Sequence, residues 1–183
     1  MDKENLERIM NSNELTMSQK MEAIKEEMKI LLRKFSYLEI FNKLKVSKVS
    51  KKAKGLYCAL YEQSLEELLE EKKKDLSWEE IDQILDHLQD ETNKTTKFIK
   101  DTKETLLSDE ELESKSARLT EQDLNYKRLA VAAQEGTLTD DEKAVFENEA
   151  KKVRIQDAES DLALLSRYEE DISKEYSDKF KKI

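Results

Sequence analysis

The chain has 183 residues, with one cysteine, two glycines and no proline, and its 42 acidic and 33 basic residues give a formal net charge of −9. A single cysteine excludes an internal disulfide framework. A composition so rich in charge and so poor in helix breakers is typical of long amphipathic helices. We therefore predict an all-α fold: an elongated helical bundle of five to seven helices with coiled-coil-like packing and no sheet. We expect a single domain over 1–183, with a division into 1–106 and 107–183 as the alternative.

The first long helix is predicted by a heptad seam. Its apolar residues follow one another in steps of four and three: Met17, Met21, Ile24, Met28, Leu31, Phe35 and Leu38. This spacing predicts one helix over 17–44, after a short helix over 5–10 and a capping box between Thr16 and Gln19. Beyond Met28 the other faces are apolar too, which places the centre of the core at 30–41. We expect Phe35, Leu38 and Phe41 to be buried.

The first part of this seam is a narrow apolar stripe with charged residues on both sides. Its residues are Met17, Met21, Ile24 and Met28. A stripe this narrow is covered by one partner helix. That helix is either the chain's own last helix or a second copy in a two-fold arrangement. We predict self-association into a homodimer through these four residues, with the internal helix as the alternative.

Helix-start signals of one kind recur along the rest of the chain. Each is a serine or threonine followed three residues later by an acid: Ser77 and Glu80, Ser108 and Glu111, Thr120 and Asp123, Thr139 and Glu142. Because such pairs cap a first turn, they predict helices over 78–106, 109–118, 121–134 and 140–180. Another apolar run predicts a helix over 56–73, in which Cys58 is expected to be a buried thiol. Gly136 is expected to end a helix with a positive φ.

Charge is distributed unevenly along the chain. Between Arg33 and Lys54, eight basic residues and one acid give +7, whereas between Glu62 and Glu91, twelve acids and three lysines give −9. One interpretation is that these two segments pair with each other or are simply solvated.

Two other interpretations make one of these segments a binding surface. In the first, a basic segment contacts nucleic-acid phosphates or another partner; its residues are Lys43, Lys45, Lys48, Lys51, Lys52 and Lys54. In the second, an acidic helical surface imitates a nucleic-acid backbone and binds a partner's basic cleft; its residues are Glu66, Glu67, Glu70, Glu71, Asp82, Asp86 and Asp90.

The sequence carries no recognisable catalytic, metal or cofactor motif. His87 is the only histidine, and Ile84 stands three residues before it, where a di-iron bundle would have glutamate. Paired cysteines, a His-Glu-x-x-His helix and a phosphate-binding glycine loop are also absent. We therefore expect no enzyme activity, no cofactor and no bound metal.

We expect the chain to act through its surface, as a protein–protein interaction module that inhibits, regulates or adapts another macromolecule. A virus-encoded antagonist of a host factor and an acidic nucleic-acid mimic are two forms of this function. The alternatives are a nucleic-acid-binding protein that uses 43–54 and a self-assembling structural protein. The first residues contain no apolar signal core, and no run reaches the length of a membrane span. We expect a cytoplasmic protein (host cytoplasm if viral) without a membrane partner.

Overall fold

The computed structural model describes residues 2–49 and 55–182, and these residues form eight α-helices and no β-strand. In chain order the helices are α1 (Lys3–Met10), α2 (Met17–Leu32), α3 (Tyr37–Val49), α4 (Leu56–Lys73), α5 (Trp78–Glu104), α6 (Asp109–Ser116), α7 (Tyr126–Glu135) and α8 (Asp140–Lys181). The contacts divide the chain into two compact units, unit 1 (Met1–Leu85 and Asp171–Ile183) and unit 2 (Asp86–Glu170). The all-α prediction is confirmed, and the single domain stays a prediction.

Helix ends follow the predicted capping signals at several places. At the start of α2, the Thr16 hydroxyl accepts the Gln19 N–H at 3.2 Å, and the Gln19 side chain accepts the Thr16 N–H at 2.8 Å. Ser108 and Glu111 form the same reciprocal pair before α6. Gly136 ends α7 with φ +69°, a conformation that costs glycine little. These local predictions are confirmed.

The predicted helix over 17–44 is two helices, and the predicted count of five to seven helices is therefore wrong. The chain leaves the helix after Leu32 and enters α3 at Tyr37. The cause is another capping box: the Ser36 N–H donates to Glu39 Oε2 at 2.7 Å, and the Glu39 N–H donates to the Ser36 hydroxyl at 3.2 Å. A serine that caps a new helix cannot also continue the previous one.

The helix predicted over 121–134 begins later, at Tyr126. Thr120 and Asp123 do bond to each other, with the Asp123 carboxylate accepting the Thr120 N–H at 2.8 Å, but they close a turn. The Arg128 side chain donates to the carbonyls of Gln122 at 3.2 Å and Asp123 at 2.9 Å. These carbonyls are thereby satisfied without a helical partner, and Asn125 caps α7 instead.

The core of unit 1 forms where α1 and α4 pack on α2 and where α3 packs on α4. Ile9, Ile24 and Leu60 form a buried cluster that connects α1, α2 and α4. Phe41 is buried as predicted, whereas Phe35 and Leu38 are only half-buried and Ile30 is 59% exposed. The predicted core centre at 30–41 is therefore confirmed only in part. Leu32, Tyr37, Ile40 and Phe41 are buried, whereas other residues of the segment are exposed because the turn after Leu32 ends the register on which the prediction was based.

The predicted burial of Cys58 is also wrong, because its thiol is exposed. It lies in the first turn of α4 beside Leu56 and Tyr57, which are exposed as well. The buried residues of this helix begin only at Leu60. The apolar residues next to Cys58 in the sequence therefore did not indicate that this face of α4 is covered.

The core of unit 2 includes a cluster of Ile99 from α5 with Ile155 and Ala158 from α8. A buried asparagine of α8, Asn148, accepts the N–H of Leu107 through its Oδ1 at 2.9 Å. This bond satisfies the backbone of the connection between α5 and α6, where helical hydrogen bonding has ended.

We predict that Leu60→Ala lowers the free energy of unfolding by about 2–5 kcal/mol, because it removes a fully buried side chain from the cluster that joins α1, α2 and α4. Leu31→Ala is the matched control, since Leu31 is 47% exposed and its loss should change stability by less than about 0.5 kcal/mol. Urea unfolding followed by circular dichroism measures both. Equal effects of the two substitutions would contradict the assigned core.

Candidate partner-binding surface at the turn between α2 and α3

Two nearly buried lysines of α2 share one carboxylate of α4. Lys25 and Lys29 are only 8% and 6% exposed. The Lys25 ammonium lies 3.0 Å from Glu67 Oε1, and the Lys29 ammonium contacts the other oxygen of Glu67. Each lysine also pairs with an acid on its own helix, Lys25 with Glu22 at 2.7 Å and Lys29 with Glu26 at 3.2 Å. This ion-pair network holds α2 on α4.

The network shifts the pKa of each of its central groups toward the charged form. Hydrogen bonds to Glu22 and then Glu67 raise the pKa of Lys25. For Lys29, burial alone would lower the pKa, but hydrogen bonds to Glu67 and Glu26 outweigh it and raise the pKa. The hydrogen bond from Lys29 is the main cause of a lowered pKa of Glu67, against the opposing effect of burial and together with the bond from Lys25.

The end of α2 is held on α4 by a second set of contacts around Arg33. Its guanidinium lies 3.7 Å from a Glu26 oxygen and 3.8 Å from a Glu71 oxygen. The Lys72 ammonium donates to the Arg33 carbonyl at 2.9 Å. A carbonyl at a helix end has no intrahelical partner, so this bond from α4 satisfies it and positions the turn that follows.

A pocket of about 370 Å³ opens beside this turn within unit 1. Its apolar lining comes from three buried residues, Tyr37, Leu68 and Leu76. The polar and charged lining residues are Arg33, Ser36, Glu71, Lys72, Asp75 and Glu80. Three successive helices, α3 to α5, contribute to the pocket, together with the connection from α2 to α3 and the connection from α4 to α5.

Apolar and basic side chains of the turn and of the two helices beside it form what we call the turn surface: Ile30 and Leu31 of α2, Lys34 and Phe35 of the turn, and Lys43 of α3. Ile30 and Leu31 are exposed, and Phe35 is half-buried. The ammonium groups of Lys34 and Lys43 lie 5.2 and 4.5 Å from the centre of the Phe35 ring, a cation–π arrangement. Neither ammonium has a carboxylate at ion-pair distance among residues 2–49 and 55–182.

The predicted basic segment is distributed over α3 and the residues beyond it. Lys43 lies over the Phe35 ring, Lys45 is half-buried, and the Lys48 ammonium is paired with Glu66 at 2.7 Å. Lys51, Lys52 and Lys54 lie outside the described residues. A role of this segment in nucleic-acid or partner binding stays a prediction.

Four of the seven predicted acidic surface residues are paired inside unit 1. Glu66, Glu67, Glu70 and Glu71 of α4 meet lysines or an arginine of the same unit. The other three lie on α5, where Asp82 and Asp86 are exposed and Asp90 pairs with Lys94 at 2.9 Å. Pairing between the basic and acidic segments is thus observed at Lys48 and Glu66. The acidic partner surface stays a prediction.

The predicted self-association seam packs largely within the chain. Ile24 is fully buried, and Met21 and Met28 pack against its cluster with Ile9 and Leu60. Met17, at the first turn of α2, is 59% exposed. Among the described residues, the contacts of the seam's buried cluster come from α1 and α4. The homodimer stays a prediction.

The turn and its pocket were missed by the sequence analysis. A signal was present, since Ser36 and Glu39 have the spacing of the capping boxes recognised elsewhere. The continuous heptad pattern across 17–38 outweighed that signal. The pocket itself had no local signal, because its lining residues lie up to 47 positions apart, from Arg33 to Glu80.

No protein-family model matches this sequence, and neither a curated protein nor a solved structure shows significant similarity to it. Across the part of the chain that the structure describes, no three histidine, cysteine or acidic side chains are grouped as metal ligands would be. In the same part of the chain, every helix is too short or too polar to span a lipid bilayer.

We predict that Glu67→Gln lowers the free energy of unfolding at neutral pH by about 1 kcal/mol, because two ammonium groups lose a shared anion that is itself partly exposed. The pKa of Glu67 is lowered from 4.5, so its contribution is present above pH 4.5 and is lost as the pH falls through the lowered value. Urea unfolding at a series of pH values from 7 downward should therefore show the difference between the two proteins shrinking once the pH falls below 4.5.

Glu70→Gln is the matched control for this prediction. Among the residues that the structure describes, Glu70 pairs with Lys73 on its own helix, at 3.0 Å, and its side chain is largely exposed. Its replacement should cost no more than about 0.5 kcal/mol. A Glu67→Gln effect that matches this control, or that persists unchanged as the pH is lowered well below 4.5, would contradict the role assigned to the network.

Proposed function

We propose that this chain is a non-enzymatic protein–protein interaction module that inhibits, regulates or adapts another macromolecule, and that it binds its partner at the turn between α2 and α3. The observation that carries the proposal is the turn surface. There, exposed Ile30 and Leu31 precede an aromatic ring that is flanked by two ammonium groups. Within the described part of the chain, neither ammonium has a carboxylate at ion-pair distance.

The chemistry of this surface is that of an interface centre with a charged rim. Isolated exposed apolar residues are common on proteins, but neighbouring ones point to a contact. Here Ile30, Leu31 and Phe35 occur within six residues of the chain. A partner with apolar side chains and nearby carboxylates would cover these three apolar residues. Its carboxylates would pair with Lys34 and Lys43.

A nucleic-acid-binding function is the second candidate, and the same two lysines favour it. An ammonium group free of carboxylates can contact a phosphate, and the Phe35 ring offers a face on which a base could stack. Against this, Lys48 is already neutralised by Glu66 at 2.7 Å. The chain also carries a net charge of −9, which repels a polyanion.

Three finer expectations belong to this proposal. They are coiled-coil-like packing of the long helices, self-association through the α2 seam and a cytoplasmic location. The heptad spacing from Met17 to Met28 supports the first two of these expectations. Of the four residues in that stripe, Met17 alone is extensively exposed, so a second chain would first contact the stripe there.

The proposal predicts that an immobilised full chain captures a protein from an extract of its source cell and that Ile30→Ser with Leu31→Ser prevents the capture. The double change removes the apolar centre from an exposed helix face, so the fold should survive. Mass spectrometry identifies the captured protein, and a titration with the purified partner should show affinity reduced at least about tenfold.

The matched control is Val46→Ser, which removes an apolar side chain that is 70% exposed on α3, outside the turn surface. This variant should bind the partner like the wild-type chain. Capture that is equally strong with the double variant would contradict the proposed surface. Capture that disappears after nuclease treatment would favour the nucleic-acid alternative.

A further inference from the structure

The last turns of α8 carry an apolar face that the fold covers only at its beginning. Ile172, Tyr176 and Phe180 follow one another at intervals of four residues, so they lie along one face of this helix. Their exposed fractions rise along the helix, from 0% at Ile172 to 37% at Tyr176 and 68% at Phe180. The end of this face is therefore in contact with water.

The Tyr176 ring is held in place by the tryptophan that opens α5. The centres of the Trp78 and Tyr176 rings lie 4.8 Å apart, and the two ring planes meet at 88°, which is an edge-to-face arrangement. Both residues belong to unit 1. Tyr176 is therefore oriented without a partner, and Phe180 lies one turn further along the same helix face.

Two acids of this part of α8 act on a lysine of α4. Burial alone would lower the pKa of Lys73, but its hydrogen bond to Glu70 and the charge of that residue raise it. The carboxylates of Asp171 and Glu175 add to the same upward shift. The negative charge of these two residues is therefore directed at a cation of the same unit.

The basic side chains around Phe180 have no such counterpart. Three positive charges occur within four residues of the chain, on Lys179, Lys181 and Lys182. Within residues 2–49 and 55–182, none of these ammonium groups has a carboxylate at ion-pair distance, and this includes the carboxylate of neighbouring Asp178. Cations in a last turn also interact favourably with the helix dipole. The dipole does not account for the exposed ring between them.

We propose that this end of α8 binds an acidic amphipathic helix of a protein partner, with the partner's apolar face on Tyr176 and Phe180 and its carboxylates at the three lysines. Residues four apart form a ridge on which a second helix can pack. The uncompensated lysines beside the ridge require anionic flanks on that helix. A nucleic acid or an anionic bilayer carries many more charges, which the net charge of −9 would repel.

The test is a titration of the full chain with a helical peptide of about 20 residues that carries leucine on one face and glutamate on the others. Trp78 is the only tryptophan and touches Tyr176, so its fluorescence reports on the site. The emission should change in a saturable way. A peptide with lysine in place of glutamate, or with alanine in place of leucine, should bind at least about tenfold more weakly.

Phe180→Ser should weaken binding of the glutamate peptide at least about tenfold, and the fold should survive because this side chain is largely exposed. Phe98→Ser is the matched control, since it removes an aromatic side chain that is 45% exposed in unit 2, and it should leave binding unchanged. Replacing the three lysines with glutamine should weaken binding and reduce its dependence on salt concentration. Circular dichroism verifies that each variant keeps its helix content.

The inference is overturned if the emission shows no saturable change, if either altered peptide binds as well as the glutamate peptide, or if Phe180→Ser binds like the wild-type chain. It is also overturned if a single-stranded oligonucleotide or an anionic lipid vesicle binds more tightly than the peptide. A wild-type dimer that Phe180→Ser dissociates would assign the face to a second copy and overturn it too.

This site is separate from the turn surface, and the two proposals fail independently. The double variant Ile30→Ser with Leu31→Ser should bind the glutamate peptide like the wild-type chain, as read from the Trp78 emission. An emission change that the double variant abolishes would place the peptide at the turn surface and overturn the inference. Failure of the proposed function would instead appear as a captured partner that is insensitive to the double variant.

Discussion

The packing of α2 on α4 is the interaction on which the rest of unit 1 depends. Ile24 and Leu60 supply its apolar contact, and Glu67 supplies the charge that Lys25 and Lys29 require. Removing two ammonium groups from water is costly unless each meets an acceptor. A displacement of α2 by one turn would separate them from Glu67. The ion pairs therefore restrict the register in which the apolar faces can meet.

This register determines where α2 ends relative to α4, and so where the candidate surface forms. Arg33, at the end of α2, reaches Glu71, while Lys72 reaches the Arg33 carbonyl. The chain can then turn, because Ser36 and Glu39 cap the helix that follows. The turn leaves Ile30 and Leu31 in solvent and opens a pocket on α4. The candidate site is thus a consequence of how the helix break is held.

Much of the helical framework could be predicted because its signals are local. Thr16, Ser108 and Gly136 each act within one helical turn of their own position, and the bounds of α4 follow from its apolar run. The break at Ser36 was missed because two valid patterns, the heptad and the capping box, conflict there. The late start of α7 depends on how Arg128 is oriented. The pocket depends on how three helices and the turn before α3 come together. Neither property is local in sequence.

The most direct test of this account is the backbone conformation between α2 and α3, read from NMR Cα and carbonyl chemical shifts of the full chain. The account predicts helical shifts through Leu32, non-helical shifts at Ser36 and helical shifts again from Tyr37. Amide hydrogen exchange in the same sample should be faster within the turn than in the middle of α2 or α3. Uninterrupted helical shifts from Met17 to Leu44 would contradict the account, because the turn surface and the pocket both require the break.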